Sequence, residues 1–257
     1  MINQSTDHSV RSAAVIGGAS LVGMALAAIF SVGFVLDALI VPGDAAATVT
    51  QIQASETLFR AGIFGWLLIL LLDVIVAWAL HVFLRRVNPN LSLLTAWLRL
   101  VYAAILGIGL SNLVGVLFLL RGGDSLTSFD PEQIQAGIML LINMFYGAWE
   151  TIGLVVFGCH LFLLGYLVIK SGYVPRVIGF LIVLASFGYI ITNSGNLLFP
   201  QYASYIATIE TVFVLPMIVG ELGLGLWLLV RGGRGESASR VNASRSSQQI
   251  SQAVSQG

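Results

Sequence analysis

Residues 58–100 read LFRAGIFGWLLILLLDVIVAWALHVFLRRVNPNLSLLTAWLRL and decide the fold class of this chain. The run Leu58–Leu84 is apolar for longer than the roughly 20 residues that a transmembrane helix requires. Two arginines end the run, and Asn88 followed by Pro89 is typical of the cap and first turn of a new helix. The stretch therefore predicts two consecutive membrane-spanning helices that a short basic loop joins.

The whole chain has the composition of a membrane protein. Its 257 residues include 57% hydrophobic and 9% charged side chains, and the mean hydropathy is +0.93. A soluble domain carries about 25% charged residues because its surface faces water. A chain with so little charge cannot cover such a surface, whereas lipid removes the need. The formal net charge is zero, so nothing indicates a nucleic-acid partner, and the single cysteine, Cys159, excludes an intrachain disulfide.

Six apolar segments are long enough to cross a bilayer, which predicts an all-α, polytopic transmembrane helix bundle. They are Ala13–Leu39, Leu58–Leu84, Leu91–Leu120, Gly137–Ile169, Pro175–Phe199 and Tyr205–Val230. We expect residues 13–230 to form the bundle, residues 1–12 a cytoplasmic tail, and the polar residues 231–257 a disordered cytoplasmic tail. An alternative for the first segment is a cleaved signal peptide, but its apolar run is too long for one.

The basic residues of the loops and termini fall mainly on one side of the predicted bundle. This side carries Arg11, Arg85, Arg86, Lys170, Arg176, Arg231, Arg234, Arg240 and Arg245. The opposite side carries Arg60 and Arg121 together with Asp44, Glu56, Asp124, Asp130 and Glu132. Because basic loops remain in the cytoplasm, we expect both termini to be cytoplasmic.

The fourth segment is too long for a plain span. A continuous helix from Pro131 to Ile169 would be about 58 Å long at 1.5 Å per residue, almost twice the hydrocarbon thickness. Asp130 and Gln133 are spaced for a capping box at its start. Two alternatives follow: the first turns stand outside the bilayer as a cap, or a break near Gly147 separates an additional interfacial helix on the outer side.

Several stretches of the chain resemble the bacterial domain-of-unknown-function 4386 family. They are Leu39–Thr48 (LIVPGDAAAT), Ser55–Arg60 (SETLFR), Arg85–Asn90 (RRVNPN), Gly165–Arg176 (GYLVIKSGYVPR), Leu197–Tyr202 (LLFPQY) and Gly220–Leu222 (GEL). The resemblance extends over nearly everything from the first predicted span to Val230. It implies a prokaryotic integral membrane protein, which we place in the bacterial cytoplasmic (inner) membrane, and it carries no agreed activity.

Eight polar or ionisable side chains fall inside the predicted spans and form the candidate site. They are Asp73, Arg99, Glu150, His160, Asn193, Asn196, Glu210 and Glu221. A charge at the centre of a span costs about 2.5–3.5 kcal/mol on insertion scales, so each asks for a reason. Residue counts place Asp73, Arg99, His160 and Glu221 near the midplane and the other four in the outer half. This distribution predicts a polar cavity that opens outward above a charged floor.

Asp73 and Arg99 lie on consecutive antiparallel helices, within one turn of each other when the hairpin is folded at Asn88. A buried ion pair is therefore expected, since either charge alone would be uncompensated. Its role is left open between packing and a functional gate. A ladder of small residues on the third span, Ala103, Gly107, Ser111 and Gly115, predicts a close helix contact there.

Glu210 and Glu221 project from one face of the sixth helix, because eleven residues correspond to about 20° of rotation. Pro216 lies between them and removes a backbone donor, so a kink with two carboxyl groups on one side could serve a proton or cation path. Prolines are also ordinary in spans. His160 is compatible with a hydrogen-bonded core histidine, a proton relay, or a metal or haem ligand.

These residues support three hypotheses of different classes. Embedded acids outnumber the one embedded base, and unpaired acids in hydrocarbon would be protonated or hold a cation. This favours a proton- or cation-linked transporter or a small-molecule-binding membrane protein. The second hypothesis is a membrane enzyme that acts on a lipid-soluble substrate through His160 and Glu221, although no catalytic motif supports it. The third is a structural or regulatory subunit. We expect no cofactor, no metal and no catalytic residue, with membrane lipids and a second copy of the chain as partners.

Overall fold

The computed structural model of the chain describes residues 2–122 and 128–232, with side chains from Ser9 onward. Within these ranges the chain forms helices and no strand, which confirms the all-α class. Its α-helices are α1 Ile2–Ala28, α2 Asp37–Leu39, α3 Ala45–Ala54, α4 Glu56–Leu84, α5 Pro89–Arg121, α6 Pro131–Tyr146, α7 Leu154–Ser171, α8 Arg176–Leu198 and α9 Ala203–Arg231. From residue 233 onward, the predicted disordered tail lies outside the described residues. Asp124, Arg234, Arg240 and Arg245 also lie outside them.

Six of the helical stretches in the described ranges are long and apolar enough to cross a membrane, which confirms the predicted number. We number them spans 1–6 in chain order: Ser9–Leu39, Glu56–Leu84, Pro89–Arg121, Pro131–Ser171, Arg176–Leu198 and Pro200–Arg231. The α-helix of span 1 extends back to Ile2, through the residues predicted as an N-terminal tail.

The spans form a closed ring of antiparallel helices. Each span packs against its neighbours in the chain, and span 6 closes the ring by packing against span 1. We call the end that carries Arg85 and Lys170 the basic end, and the end that carries Asp44 and Glu132 the acidic end. An even number of spans places both ends of the described chain at the basic end.

The helix boundaries follow the predicted local signals. The Asn88 side chain accepts a hydrogen bond from the Leu91 backbone N–H at 3.0 Å, and Pro89 occupies the first turn of α5. Asp130 and Gln133 form the predicted capping box at α6. Gly172 ends α7 with φ +73°, a left-handed conformation that glycine adopts without steric cost.

The fourth span breaks at Gly147, as the sequence predicts, but the break does not produce a separate interfacial helix. Gly147–Gly153 forms a π-helical segment between α6 and α7. Helix α6 packs against span 3 and buries Ile138, Ile142 and Phe145, so it belongs to the bundle rather than lying apart at the interface. The additional short helix is α3, which the Asp44 side chain caps. A second π-helical segment, Ile29–Leu36, occupies the acidic half of span 1.

The tightest helix contacts lie elsewhere than the predicted ladder on span 3. Ser111 is exposed, so the prediction was wrong there. Spans 4 and 5 approach most closely at Gly165 and Gly179, where a Cβ on either glycine would lie within 3.1 Å of the carbonyl oxygen of the other. Spans 1 and 6 touch at Gly18, whose added Cβ would lie 2.6 Å from the Gly225 carbonyl oxygen. Glycines allow these backbones to meet, which is a common solution inside membranes.

Candidate functional site

Asp73 and Arg99 meet at the centre of the bundle. The Arg99 Nη2 atom lies 2.7 Å from Asp73 Oδ1, and the two side chains are 1% and 0% exposed. The short loop around Asn88 brings spans 2 and 3 together as an antiparallel hairpin, which places the two residues at the same depth. The charges therefore compensate one another in a region that water does not reach.

His160 of span 4 completes the arrangement around Arg99. Its Nε2 atom lies 3.2 Å from Arg99 Nη1, and its Nδ1 atom lies 2.8 Å from the Thr95 carbonyl oxygen. Guanidinium nitrogens only donate, and carbonyl oxygens only accept. We therefore assign the neutral tautomer, in which Nδ1–H donates to Thr95 and Nε2 accepts from Arg99. Both ring nitrogens are occupied, so His160 orients Arg99 and has no free nitrogen for a metal or a proton relay.

The rest of the Arg99 side chain is enclosed by apolar and aromatic groups. Nη2 also donates to the Met24 sulfur at 3.7 Å, and the guanidinium carbon lies 5.4 Å from the centroid of the Phe157 ring. Arg99 thereby contacts spans 1, 2 and 4 as well as its own. Among the described residues, Arg99 Nε and Asp73 Oδ2 have no hydrogen-bond partner. The centre thus holds a compensated charge pair whose hydrogen-bonding capacity is not filled.

Glu221 of span 6 belongs to the same centre. The Tyr189 hydroxyl of span 5 donates to Glu221 Oε1 at 3.1 Å, and both Arg99 and Asp73 act electrostatically on Glu221. Unlike the ion pair, Glu221 and Tyr189 keep part of their surface accessible. Every span therefore contributes one side chain to the centre, which we call the polar centre: Met24, Asp73, Arg99, His160, Tyr189 and Glu221.

Aromatic side chains cover the polar centre on the side of the acidic end. The indole N–H of Trp149 donates to the Tyr102 hydroxyl at 3.3 Å. Trp149 is held by edge-to-face contact with Trp66 and stacks on Phe145, with centroid separations of 4.6 and 5.8 Å. The π-helical segment Gly147–Gly153 presents Trp149 inward, next to Glu150.

The four residues predicted in the outer half do not form one cluster. Glu150 and Glu210 are exposed and lie close enough to interact electrostatically. Asn193 turns back to its own helix, where its amide nitrogen donates to the Tyr189 carbonyl at 2.9 Å. Asn196 is exposed near the end of α8. Two carboxyl groups, rather than four polar residues, therefore stand above the polar centre.

The polar centre lies between a packed apolar core on one side and the aromatic layer on the other. Towards the basic end it is followed by a packed apolar core that includes Leu80, Leu164, Leu224 and Leu228. Below this core, Phe83 makes edge-to-face contacts with Tyr173 and Trp227, at centroid separations of 5.2 and 6.3 Å. Towards the acidic end, Glu221, Tyr189 and Trp149 are half-buried, whereas Glu150 and Glu210 are exposed.

Sequence reasoning missed four members of the site: Met24, Tyr102, Phe157 and Tyr189. Methionine and phenylalanine are indistinguishable from lipid-facing residues in an apolar run. The two tyrosines carried a usable signal, because a hydroxyl far from either end of a span needs a hydrogen-bond partner. Within residues 2–122 and 128–232, no group of three or more His, Cys, Asp and Glu side chains could hold a metal ion.

Comparison of the sequence with known proteins identifies a matching family. The model of a domain of unknown function, DUF4386, matches residues 16–232. An uncharacterised protein of the archaeon Archaeoglobus fulgidus is 38% identical over 170 residues, which are 66% of this chain and 83% of the relative. Relatives of the chain are therefore not confined to bacteria. No solved structure matches the chain.

Proposed function

This chain belongs to the DUF4386 family, a domain of unknown function, and from that premise we propose that it is a proton-linked transporter of a small molecule. The observation that carries the proposal is Glu221, a half-buried carboxyl group at the centre of a ring of six spans. Secondary transporters bind cargo and coupling ion near the bilayer midplane and expose that site to one side at a time. A centre with a packed apolar core on its basic side and exposed carboxyl groups above it on its acidic side is compatible with one such state.

Glu221 is the group best suited to exchange a proton. Asp73 and Arg99 compensate each other at 2.7 Å, whereas the Glu221 side chain accepts a hydrogen bond from Tyr189, a neutral donor. An acid in this setting gains or loses a proton according to the charges that face it. Those groups are Asp73 of span 2, Arg99 and Tyr102 of span 3, and Tyr189 of span 5.

Span 6 offers the flexibility that alternating access requires. Pro216 lies inside α9, between Glu210 and Glu221, and it cannot donate the hydrogen bond that would continue the helix. On the basic side of Pro216, span 6 is held against span 1 at Gly225. On the acidic side its residues are largely exposed. A hinge at Pro216 would move Glu210 relative to Glu221 without disturbing the seam with span 1.

We place the basic end in the cytoplasm on the basis of the loop charges, and the protein in the cell membrane of a prokaryote. The exposed Glu150 and Glu210 then lie on the outer side of the polar centre. A homodimer would enlarge a six-span unit, which is small for a transporter.

Infrared spectroscopy of the purified protein in lipid nanodiscs tests whether Glu221 exchanges protons. We expect the carbonyl stretching band of a protonated carboxyl group to appear and disappear with pH, and Glu221→Gln to remove it. Glu132→Gln is the matched control, because Glu132 is exposed in the first turn of α6. A titrating band that survives in Glu221→Gln would assign the proton to another group and contradict the proposal.

Proteoliposomes that contain a pH-sensitive dye test the transport step. After an imposed pH jump, we expect protein-dependent proton movement in wild type and Glu132→Gln, and the rate of protein-free liposomes in Glu221→Gln. Parallel measurements in sodium and potassium media separate proton movement from cation-coupled movement. Equal rates for wild type and Glu221→Gln would remove Glu221 from the mechanism.

A membrane enzyme is less well supported by the same geometry. An acid–base pair would need a free imidazole nitrogen, and both nitrogens of His160 are committed to Thr95 and Arg99. Glu221 has no second ionisable partner in hydrogen-bond contact in the part of the chain that the structure describes.

A further inference from the structure

We infer that residues 203–215 of span 6, which we call the strap, swing about Pro216 and close onto the acidic half of span 1. In the closed state they continue the seam that the two spans already form in their basic halves. The inference rests on the proposed function, because it names the movement by which the acidic side of the bundle closes during transport. The loose packing of the strap, the register of its faces and the open surface of span 1 support it.

The strap is loosely packed. Eleven of its thirteen residues are exposed, although it belongs to a span with buried residues in its basic half. The two others lie against glycines of span 5, Ile206 next to Gly195 and Phe213 next to Gly188. A segment with so few buried contacts loses little packing energy when it moves.

One exposed face of the strap continues the face by which span 6 packs on span 1. A Cβ on Gly18 of span 1 would lie 2.6 Å from the Gly225 carbonyl oxygen and 2.7 Å from the Leu229 backbone nitrogen. Eighteen residues make about five full turns of an α-helix at 3.6 residues per turn. Ala207 therefore lies on the same face as Gly225, and Thr211 on the same face as Leu229. The surface that meets span 1 in the basic half thus extends, without a partner helix, along the strap.

This face of the strap is suited to close packing. Ala203, Ala207 and Thr211 follow one another at intervals of four residues, a spacing of small residues that lets helices approach inside membranes. The hydroxyl groups of Thr208 and Thr211 donate to the carbonyl oxygens of Ser204 and Ala207 at 3.1 and 3.0 Å. Contact with another helix would therefore leave neither hydroxyl hydrogen without an acceptor.

The acidic half of span 1 has an open surface at the depth of Thr211. Gly33 lies fifteen residues beyond Gly18, and Thr211 lies fourteen residues before Gly225. Because the two spans are antiparallel, both are then about 21–23 Å from the seam contact at 1.5 Å per residue. A Cβ on Gly33 would meet no atom within 4 Å, and Ile29, one turn below it, is 58% exposed. Span 1 therefore leaves room there for a second helix.

Span 6, rather than span 1, is the element that moves. The acidic half of span 1 packs on span 2, where Val35 fills the space beside Gly62. Span 6, in contrast, has Pro216 at the boundary between the strap and the seam. Proline cannot donate the backbone hydrogen bond that the Val212 carbonyl would otherwise accept. A bend at this position carries the strap sideways and leaves Gly225 in contact with span 1.

Cysteine pairs in a Cys159→Ser background test the closure. In the full chain carrying Gly33→Cys and Thr211→Cys, a disulfide requires the two Cα atoms to approach within about 7 Å. Copper phenanthroline oxidises the protein in phosphatidylcholine nanodiscs, and mass tagging of free thiols follows the reaction. The control pair is Gly33→Cys with Val212→Cys, because Val212 is 72% exposed and is the next residue along the strap. It points about 100° away from Thr211, so we expect the Thr211 pair to react about tenfold faster or more.

Pro216→Ala tests the hinge. Alanine supplies the missing backbone donor to Val212 and favours a continuous helix. The Gly33–Thr211 cysteine pair should therefore react several times more slowly in the Pro216→Ala chain than in the chain that keeps the proline. Each variant is first required to elute as wild type does in size-exclusion chromatography. An unchanged rate in Pro216→Ala would overturn the movement about Pro216.

The outcomes separate this inference from the proposed function. Equal rates for the two cysteine pairs, no disulfide within the chain, or a disulfide found only in a product of twice the mass would overturn the closure. In liposomes, we expect oxidation of the Gly33–Thr211 pair to stop proton movement and a reducing agent to restore it. If wild type moves no protons and the disulfide still forms, the strap closes but the proposed transporter is refuted. If protons move through Glu221 and no disulfide forms, the transporter stands without this closure.

Discussion

Replacing Asp73 with asparagine should destabilise the bundle strongly, and adding Arg99→Met to the same chain should restore much of the loss. Asparagine keeps the size of the side chain and removes its charge, so Arg99 remains as an uncompensated cation at the centre of the spans. Methionine has an unbranched side chain that suits the pocket formed by Met24 and Phe157. The double variant therefore removes both charges while it keeps the packing.

The distances set the magnitude. At 2.7 Å and an effective dielectric constant of about 20, the attraction between the two charges is about 6 kcal/mol. Burial costs several kcal/mol per ion, so the intact pair is close to neutral for stability. Removing one partner loses the attraction and keeps the burial cost of the other, which lowers the free energy of unfolding by about 3–5 kcal/mol. In the double variant, His160 Nε2 loses its donor, which costs about 1–3 kcal/mol.

Unfolding in mixed micelles with increasing denaturant, followed by tryptophan fluorescence, measures these differences. The matched control is Glu56→Gln, which breaks the Glu56–Arg60 contact at the acidic end. The side chains of that pair are 43% and 37% exposed, so the change should be below about 1 kcal/mol. The reasoning is refuted if Asp73→Asn is as stable as Glu56→Gln, or if the double variant is no more stable than Asp73→Asn alone.

Two further predictions concern the seams and the access of the bundle. Gly165→Ala should destabilise the protein by separating spans 4 and 5, because the added Cβ would lie 2.9 Å from the Gly179 carbonyl oxygen. Gly223→Ala is the control and should be neutral or slightly stabilising, because its added Cβ would have no atom within 4 Å. Thermal unfolding compares the two variants, and equal midpoints would contradict the contact. In a Cys159→Ser background, a membrane-impermeant thiol reagent added at the acidic end should label Glu210→Cys and leave the buried Val168→Cys unlabelled; labelling of Val168→Cys at a comparable rate would contradict the sealed basic half.

The sequence predicts the parts of this fold that depend on neighbouring segments. The Asn88–Pro89 signal defines the hairpin of spans 2 and 3, and the hairpin fixes the relative depth of Asp73 and Arg99. Gly147 indicates the break in span 4, because an uninterrupted helix would be far longer than the hydrocarbon is thick. Each of these inferences needs only helix geometry and the known length of a short loop.

The ring and its interior could not be predicted in the same way. In a soluble helix the polar face identifies the solvent side, but a span is apolar on both its lipid face and its packed face, so periodicity does not reveal which side is inward. The sequence therefore does not indicate that Met24 and Phe157 lie at the centre of the bundle. The closure of the ring by spans 1 and 6 joins segments that are far apart in the chain, and only the glycines at 18 and 225, which allow close approach, hint at it.

The polar centre combines two kinds of group with different consequences. Arg99 contacts side chains on spans 1, 2 and 4, so any rotation or sliding of these helices would separate its charge from Asp73 or its N–H from His160. A buried ion pair adds little net stability, but it penalises every other register of the four helices that it joins.

Glu221 has the opposite character. One neutral hydrogen bond holds it, its surface is partly accessible, and its helix carries a proline between it and the acidic end. The ion pair of spans 2 and 3, which His160 of span 4 holds in place, and the Glu221 carboxyl group on span 6 give the bundle a rigid side and an adjustable side. Neutralising Glu221 should consequently abolish proton exchange at much smaller cost to stability than neutralising Asp73, and this contrast distinguishes a functional carboxyl group from a structural one at the same depth.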